Sequence, residues 1–236
     1  MTGGGAGRPP GGGRDAHYSD IPGLARVTGP ARDLAPGRDH EEDCCAVDDS
    51  VLRAMARWPD VPAVFGWLSL DRRGRFLIKG ETIANRAARE FIARNYAADA
   101  QGRWYFQNGP QRVFVQLDYT PLVLRLEADN SLVDHTARTF APLTQVCMDE
   151  AGAVLLAGPR GVGLLDDRDL DAFSARLRGA RGEPLDEDEV AARLETLATG
   201  AVVALSVALA DGSFAVTPVR AADVPRRFGF EPQPGP

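Results

Sequence analysis

Three residues near the middle of the chain are types that do acid–base or nucleophilic chemistry at neutral pH: Asp134, His135 and Cys147. An imidazole beside a carboxylate takes and returns a proton, and a thiol activated by it attacks electrophilic carbon. On this reading the chain is a small-molecule hydrolase or transferase using His135 with Asp134 or Cys147. No third group stands in the sequence to orient the imidazole, and a nucleophile–base pair needs one. The plainer reading places His135 in a connecting segment and Cys147 in a small-residue slot of a strand.

Two other runs have residue types that bind ions. His40-Glu41-Glu42-Asp43-Cys44-Cys45 offers metal ligands. Adjacent cysteines chelate a tetrahedral ion poorly, and no second cluster completes four ligands, so neither metal nor cofactor is expected. Gly158-Pro159-Arg160-Gly161-Val162-Gly163 has the glycines of a phosphate cradle. It lacks the Lys-Ser/Thr that ends such loops, and Asp166, Asp167 and Asp169 follow, which repel phosphate. A plain turn is expected there.

The candidate binding surface comes from strand alternation. Successive side chains of a strand point to opposite faces. Trp104, Phe106, Val113, Val115 and Leu117 then face a core, and Arg103, Tyr105, Gln107, Arg112, Phe114, Gln116, Val123 and Arg125 share the other side. Arginines beside aromatic rings suit a small anionic ligand or a protein partner. Single-stranded nucleic acid would use the same residue types. Burial of this face by the second lobe or by another subunit of a homo-oligomer is the competing reading.

The elements that position these residues are marked by one pattern: Asp, two residues, Gly, one residue, three apolar residues. It occurs at Asp71–Ile78, Asp99–Phe106 and Asp149–Leu156, with Asp211-Gly212 as a worn fourth copy. Asp favours the first position of a turn and Gly accepts positive φ, so each copy launches a strand. Residues 143–158 align with 65–80 at a fixed offset, pairing Asp71, Gly74 and Leu77 with Asp149, Gly152 and Leu155. Apolar periodicity predicts helices at 49–58, 82–96, from 166 to about 177, and 186–200. Ile83, Ala87, Phe91 and Ile92 form the apolar face of the second, with a Glu90/Arg94 pair, and Asp186 and Glu189 a capping box for the last. Strands are expected at 201–209 and 213–219.

These elements give an α+β fold of two related lobes, each opening with a β-hairpin followed by a helix and completed by an antiparallel meander. Residues 1–47, rich in Gly, Pro, Arg and Asp, read as a disordered extension. The first lobe spans 48–130 and the second 131–224, with 225–236 a flexible tail.

Composition excludes more than it identifies. The chain has 236 residues and a net charge of -6, an acidic balance that disfavours nucleic acid. Three cysteines are too few and too scattered for a disulfide scaffold. No apolar run reaches membrane-spanning length, and the N-terminus lacks an apolar signal core. A cytoplasmic protein without a membrane partner is expected.

One resemblance extends this reading. Gly74-Arg75-Phe76-Leu77-Ile78-Lys79-Gly80, Ile83, Phe91, Gly102-Arg103-Trp104-Tyr105-Phe106, Val113-Phe114-Val115-Gln116 and Thr120-Pro121-Leu122-Val123 follow one another in an order that resembles a proteobacterial family, domain of unknown function 1285, or a sister of it. The resemblance covers about 65–127 and extends loosely into the second lobe. It implies a two-lobed α+β fold with repeated motifs and a signalling role. The Gln107–Arg112 hairpin and the N-terminal extension depart from it, and no catalytic residue is carried over. The residues and the resemblance together point to a non-enzymatic regulatory module that binds a ligand or partner through the Arg/aromatic face.

Overall fold

The computed structural model describes residues 63–236. The helix expected at 49–58, the extension and the His40–Cys45 run lie outside them. The strands are β1 (Ala63–Leu70), β2 (Phe76–Ile78), β3 (Glu81–Thr82), β4 (Tyr96–Ala98), β5 (Trp104–Asn108), β6 (Gln111–Leu117), β7 (Leu122–Leu126) and β8 (Leu132–Asp134). They continue with β9 (Gln145–Met148), β10 (Val154–Gly158), β11 (Gly161–Leu165), β12 (Leu177–Arg178), β13 (Ser206–Leu209) and β14 (Gly212–Pro218). Among the described residues four α-helices join them: α1 (Arg86–Arg94), α2 (Leu170–Ser174), α3 (Glu187–Ala198) and α4 (Val224–Phe228). The fold is α+β.

The strands form two sheets, ordered β3-β2-β1-β6-β5-β4 and β12-β13-β14-β9-β10-β11-β7-β8. Substituting β9–β14 for β1–β6 turns the first order into the first six places of the second, read backwards. The registers agree: Leu68 pairs with Val115 across parallel β1 and β6, and Val146 pairs with Val216 across parallel β9 and β14. The offset alignment of the two hairpins is thus a repeated topology, and buried residues of both sheets join one core cluster.

Two expectations about the sheets are corrected. The meander is not wholly antiparallel, since β1/β6, β9/β14 and β7/β11 run parallel. Nor does the first lobe close with Leu122–Leu126. β6 already lies between β1 and β5, so neither of its edges is free. The chain turns at Pro121, and β7 pairs with β11 of the other sheet, bringing β8 with it. The Thr120 hydroxyl fixes this crossing by donating to Leu122 O at 2.7 Å and accepting from Leu164 N at 3.0 Å.

The Asp-x-x-Gly turns have a full hydrogen-bond account. In each of the copies at Asp71, Asp99 and Asp149, the first residue's N–H donates to the carbonyl four residues on, and the Gly N–H donates back to the Asp carbonyl. The Asp side chain accepts from the N–H groups two and four residues later. The same geometry recurs at Asp134, with Ala137 at φ 63 in the glycine place. Asp211-Gly212 is not a copy: Leu209 pairs directly with Gly212, leaving a two-residue hairpin loop, and Asp211 accepts from Leu143 N instead.

Helices are shorter than their apolar periodicity. Thr82 stays in β3, and Asn85 caps α1 by accepting from Ala88 N at 3.1 Å. Ala88 and Ile92 are buried rather than Ala87, and Glu90 pairs with Arg86 at 2.6 Å. The third helix is a 3-10 turn, Asp167–Asp169, followed by the five residues of α2. The capping box of α3 forms as expected. The segment expected as a flexible tail is docked. Phe230 is buried, Pro232 O accepts from Leu117 N at 2.8 Å, and Glu231 bridges Arg103.

Candidate functional site

The duplication allows position-by-position comparison of the two halves. Hairpin register matches Phe76 with Val154, Tyr96 with Leu177, Trp104 with Leu205 and Phe106 with Val207. All are buried, aromatic in the first half and aliphatic in the second. The first half fills its core with ring contacts: Phe76 meets Tyr96 at 5.4 Å, Tyr96 meets Trp104 at 4.8 Å, and Phe91 of α1 meets Phe106 at 5.4 Å.

The second half leaves a cavity of about 450 Å³. Its floor is Met148, Val154 and Val216 of β9, β10 and β14, and its walls are Leu170, Phe173 and Leu177 on one side and Leu194 and Ala198 of α3 on the other. Val154 and Leu177 are two of the positions where the first half carries a ring. α3 packs on the core through buried Leu197, with Val190 and Leu194 half-buried against it. A cavity of this size, mostly apolar with a few polar groups at its edge, is the common form of a small-molecule site. The edge carries Glu150, Asp171 and Glu195, all exposed. The N–H groups of Glu150 itself and of Ala221 hold the Glu150 carboxyl below its ordinary pKa.

The Arg/aromatic face is brought together only in part. Tyr105 and Phe114 form a separate buried cluster with Ala97, with Phe65 stacked on Phe114 at 4.6 Å. Arg103 lies over the Phe114 ring at 4.7 Å and pairs with Asp99 at 2.8 Å, and Arg112 lies over the Tyr105 ring at 4.8 Å. Gln107 is buried, its amide donating to Gly109 O, while Gln116 is half-buried. Val123 and Arg125 are elsewhere, on β7 in the other sheet, where Arg125 grips Asp169 at 2.6 and 3.1 Å. They were expected on this face because β7 was expected in the first sheet.

Asp134, His135 and Cys147 are each engaged in separate local structure. Asp134 accepts from Thr136, Arg138 and Arg160, whose two-residue turn with Pro159 joins β10 to β11. His135 packs on Phe76 and Tyr96, and its Nδ1 accepts from Val123 N at 3.3 Å. Burial lowers its pKa from 6.5 to about 4. A Cβ on Gly74 would lie 2.6 Å from the His135 Cβ, so that turn glycine also makes room for the imidazole. The Cys147 thiol is buried in β9 against the Thr217 hydroxyl at 3.4 Å. Among the described residues no group of His, Cys, Asp and Glu converges as a metal site, and no helix is long and apolar enough to cross a membrane.

Sequence reading missed the cavity residues. The signal was available in the offset alignment, where Phe76 of one hairpin faces Val154 of the other. A repeat that keeps its turns and loses its rings has changed its core volume.

The model of the DUF2944 family, described as "Protein of unknown function (DUF2946)", matches residues 47–235. No curated protein matches the chain. Among solved structures, a DUF1285 family protein from Silicibacter pomeroyi is similar over 73% of this chain and 96% of its own, at 12% identity and a TM-score of 0.44. A second DUF1285 family protein, from Shewanella baltica, is similar over 45% of this chain and 88% of its own, at 13% identity and a TM-score of 0.36.

Proposed function

This chain belongs to the DUF2944 family, and we propose that it is a non-enzymatic, ligand-binding regulatory module whose ligand occupies the cavity between the second sheet, α2 and α3. The observation that carries the reading is the cavity's position. Val154 and Leu177 line it at positions where the related half carries rings, and it is bordered by α3, whose Leu194 is half-buried. A ligand that buried Leu194 and Leu170 would seat α3 more firmly, which gives the module a conformational output.

Engagement of the catalytic residue types favours binding over turnover. His135, Asp134 and Cys147 each hold backbone or side-chain partners that stabilise the fold. The Arg/aromatic face is the less favoured site, because each guanidinium that would meet an anion already covers a ring. The test is thermal unfolding with octanol as an apolar probe. The melting temperature should rise with octanol concentration by mass action. Val154→Phe, which places the first half's ring in the cavity, should remove that rise. An equal rise in the variant would place the binding elsewhere.

A further inference from the structure

The charged residues that line the cavity are all acidic. Glu150 lies on the β9–β10 turn, Asp171 on α2 and Glu195 on α3, and no Lys, Arg or His lines the space. None of these carboxylates has an ion-pair partner among the described residues. Arg220 acts on Glu150 from outside the lining.

α3 adds to this field. Its last turn, at Leu194–Ala198, borders the cavity and holds no basic residue. The carbonyl end of a helix carries partial negative charge, which Lys or Arg often offsets in other helices. Apolar walls with an acidic mouth complement one kind of small molecule.

We propose that the ligand is a small amphiphilic cation, its apolar chain among Met148, Val154, Phe173 and Leu177 and its charged head among Glu150, Asp171 and Glu195. This rests on the cavity reading and goes on to name the ligand's chemistry. A neutral apolar molecule has the same walls but gains nothing at the mouth, and an anion is repelled there. Exposed charges contribute modestly one by one, so three carboxylates give a preference rather than absolute selection.

The experiment compares octyltrimethylammonium, octanol and octyl sulfate, each below its micelle-forming concentration, by calorimetric titration of the full chain. At low salt the cation should bind about tenfold tighter than octanol, and octyl sulfate weakest. In 1 M salt, where screening acts over about 3 Å, the cation and octanol should converge. Asp171→Asn and Glu195→Gln should each weaken the cation about two- to fivefold and leave octanol unchanged.

Octyl sulfate binding as tightly as octyltrimethylammonium would overturn the cation proposal while leaving the cavity reading in place. Failure of all three to bind, or undiminished octanol binding by Val154→Phe, would overturn the cavity reading itself. Ala198→Phe, which fills the cavity from the edge of α3, makes the same comparison should Val154→Phe fail to fold.

Discussion

The two halves of this protein share a strand order and differ in what fills it. In the first, Phe76, Tyr96, Trp104 and Phe106 touch one another or α1. In the second, Val154, Leu177, Leu205 and Val207 take those places, a longer helix stands over them, and a cavity of about 450 Å³ remains. The outer faces differ in the same sense. Tyr105 and Phe114 of the first sheet match Ser206 and Ala215 of the second. A duplicated topology has been specialised by side-chain volume, one half toward packing and the other toward space. Turns and registers tolerate this, because they are set by backbone hydrogen bonds that the core side chains do not make.

The sharpest test exchanges the equivalent residues. Phe76→Val removes ring contacts in a filled core, and truncations of this kind cost about 2–4 kcal/mol. Val154→Phe adds a ring where space exists and should cost less than about 1 kcal/mol. Urea denaturation of both variants measures the asymmetry. Equal losses would mean that the halves are packed alike and that the comparison fails.

A smaller effect distinguishes the halves by pH. His135, the only histidine among the described residues, is packed against the first half's aromatic core. Burial lowers its pKa in the folded protein from the ordinary 6.5 to about 4. Between these values the unfolded chain binds the proton and the folded one does not, so stability rises with pH across that window. The stability is present in full above about pH 6.5 and falls as pH drops through the window. The loss levels off below about pH 4, at on the order of 3 kcal/mol. His135→Asn keeps an acceptor for Val123 N and should flatten that part of the profile. A variant with the wild-type slope would assign the proton uptake to other groups.

The smallest effect is expected where the halves meet in solvent. Arg73 of the first hairpin turn pairs with Asp167 ahead of α2 at 2.8 Å, with both side chains more than half exposed. Solvent and salt screen such a pair, so Arg73→Ala should leave the melting temperature unchanged within error. A clear drop would show that this contact fixes the orientation of the two turns.

Much of the local structure was legible. Asp71, Asp99 and Asp149 were read as strand-launching turns, Trp104 as inward and Tyr105 as outward, and Asp186 with Glu189 as a capping box, and each has that role. These features depend on residues within a few positions of one another. Arg125 was misplaced because its face depends on β7, and the sheet of β7 depends on which strand edges remain free. The end of the chain departs from its expected flexibility for a related reason: Glu231 and Pro232 find their partners at Gly102 and Leu117, far away in sequence.

The amino-acid sequence by itself determined the turns, the helix caps, the inward and outward register of β5 and β6, and the α+β class, because local hydrogen bonding and strand alternation require only neighbours. Only the tertiary structure decided that β1 and β6 run parallel, that β7 crosses to the second sheet, and that Val154 and Leu177 line a cavity beside α3. Those outcomes depend on edge pairing and on the volume enclosed by distant segments, which no local stretch of residues encodes.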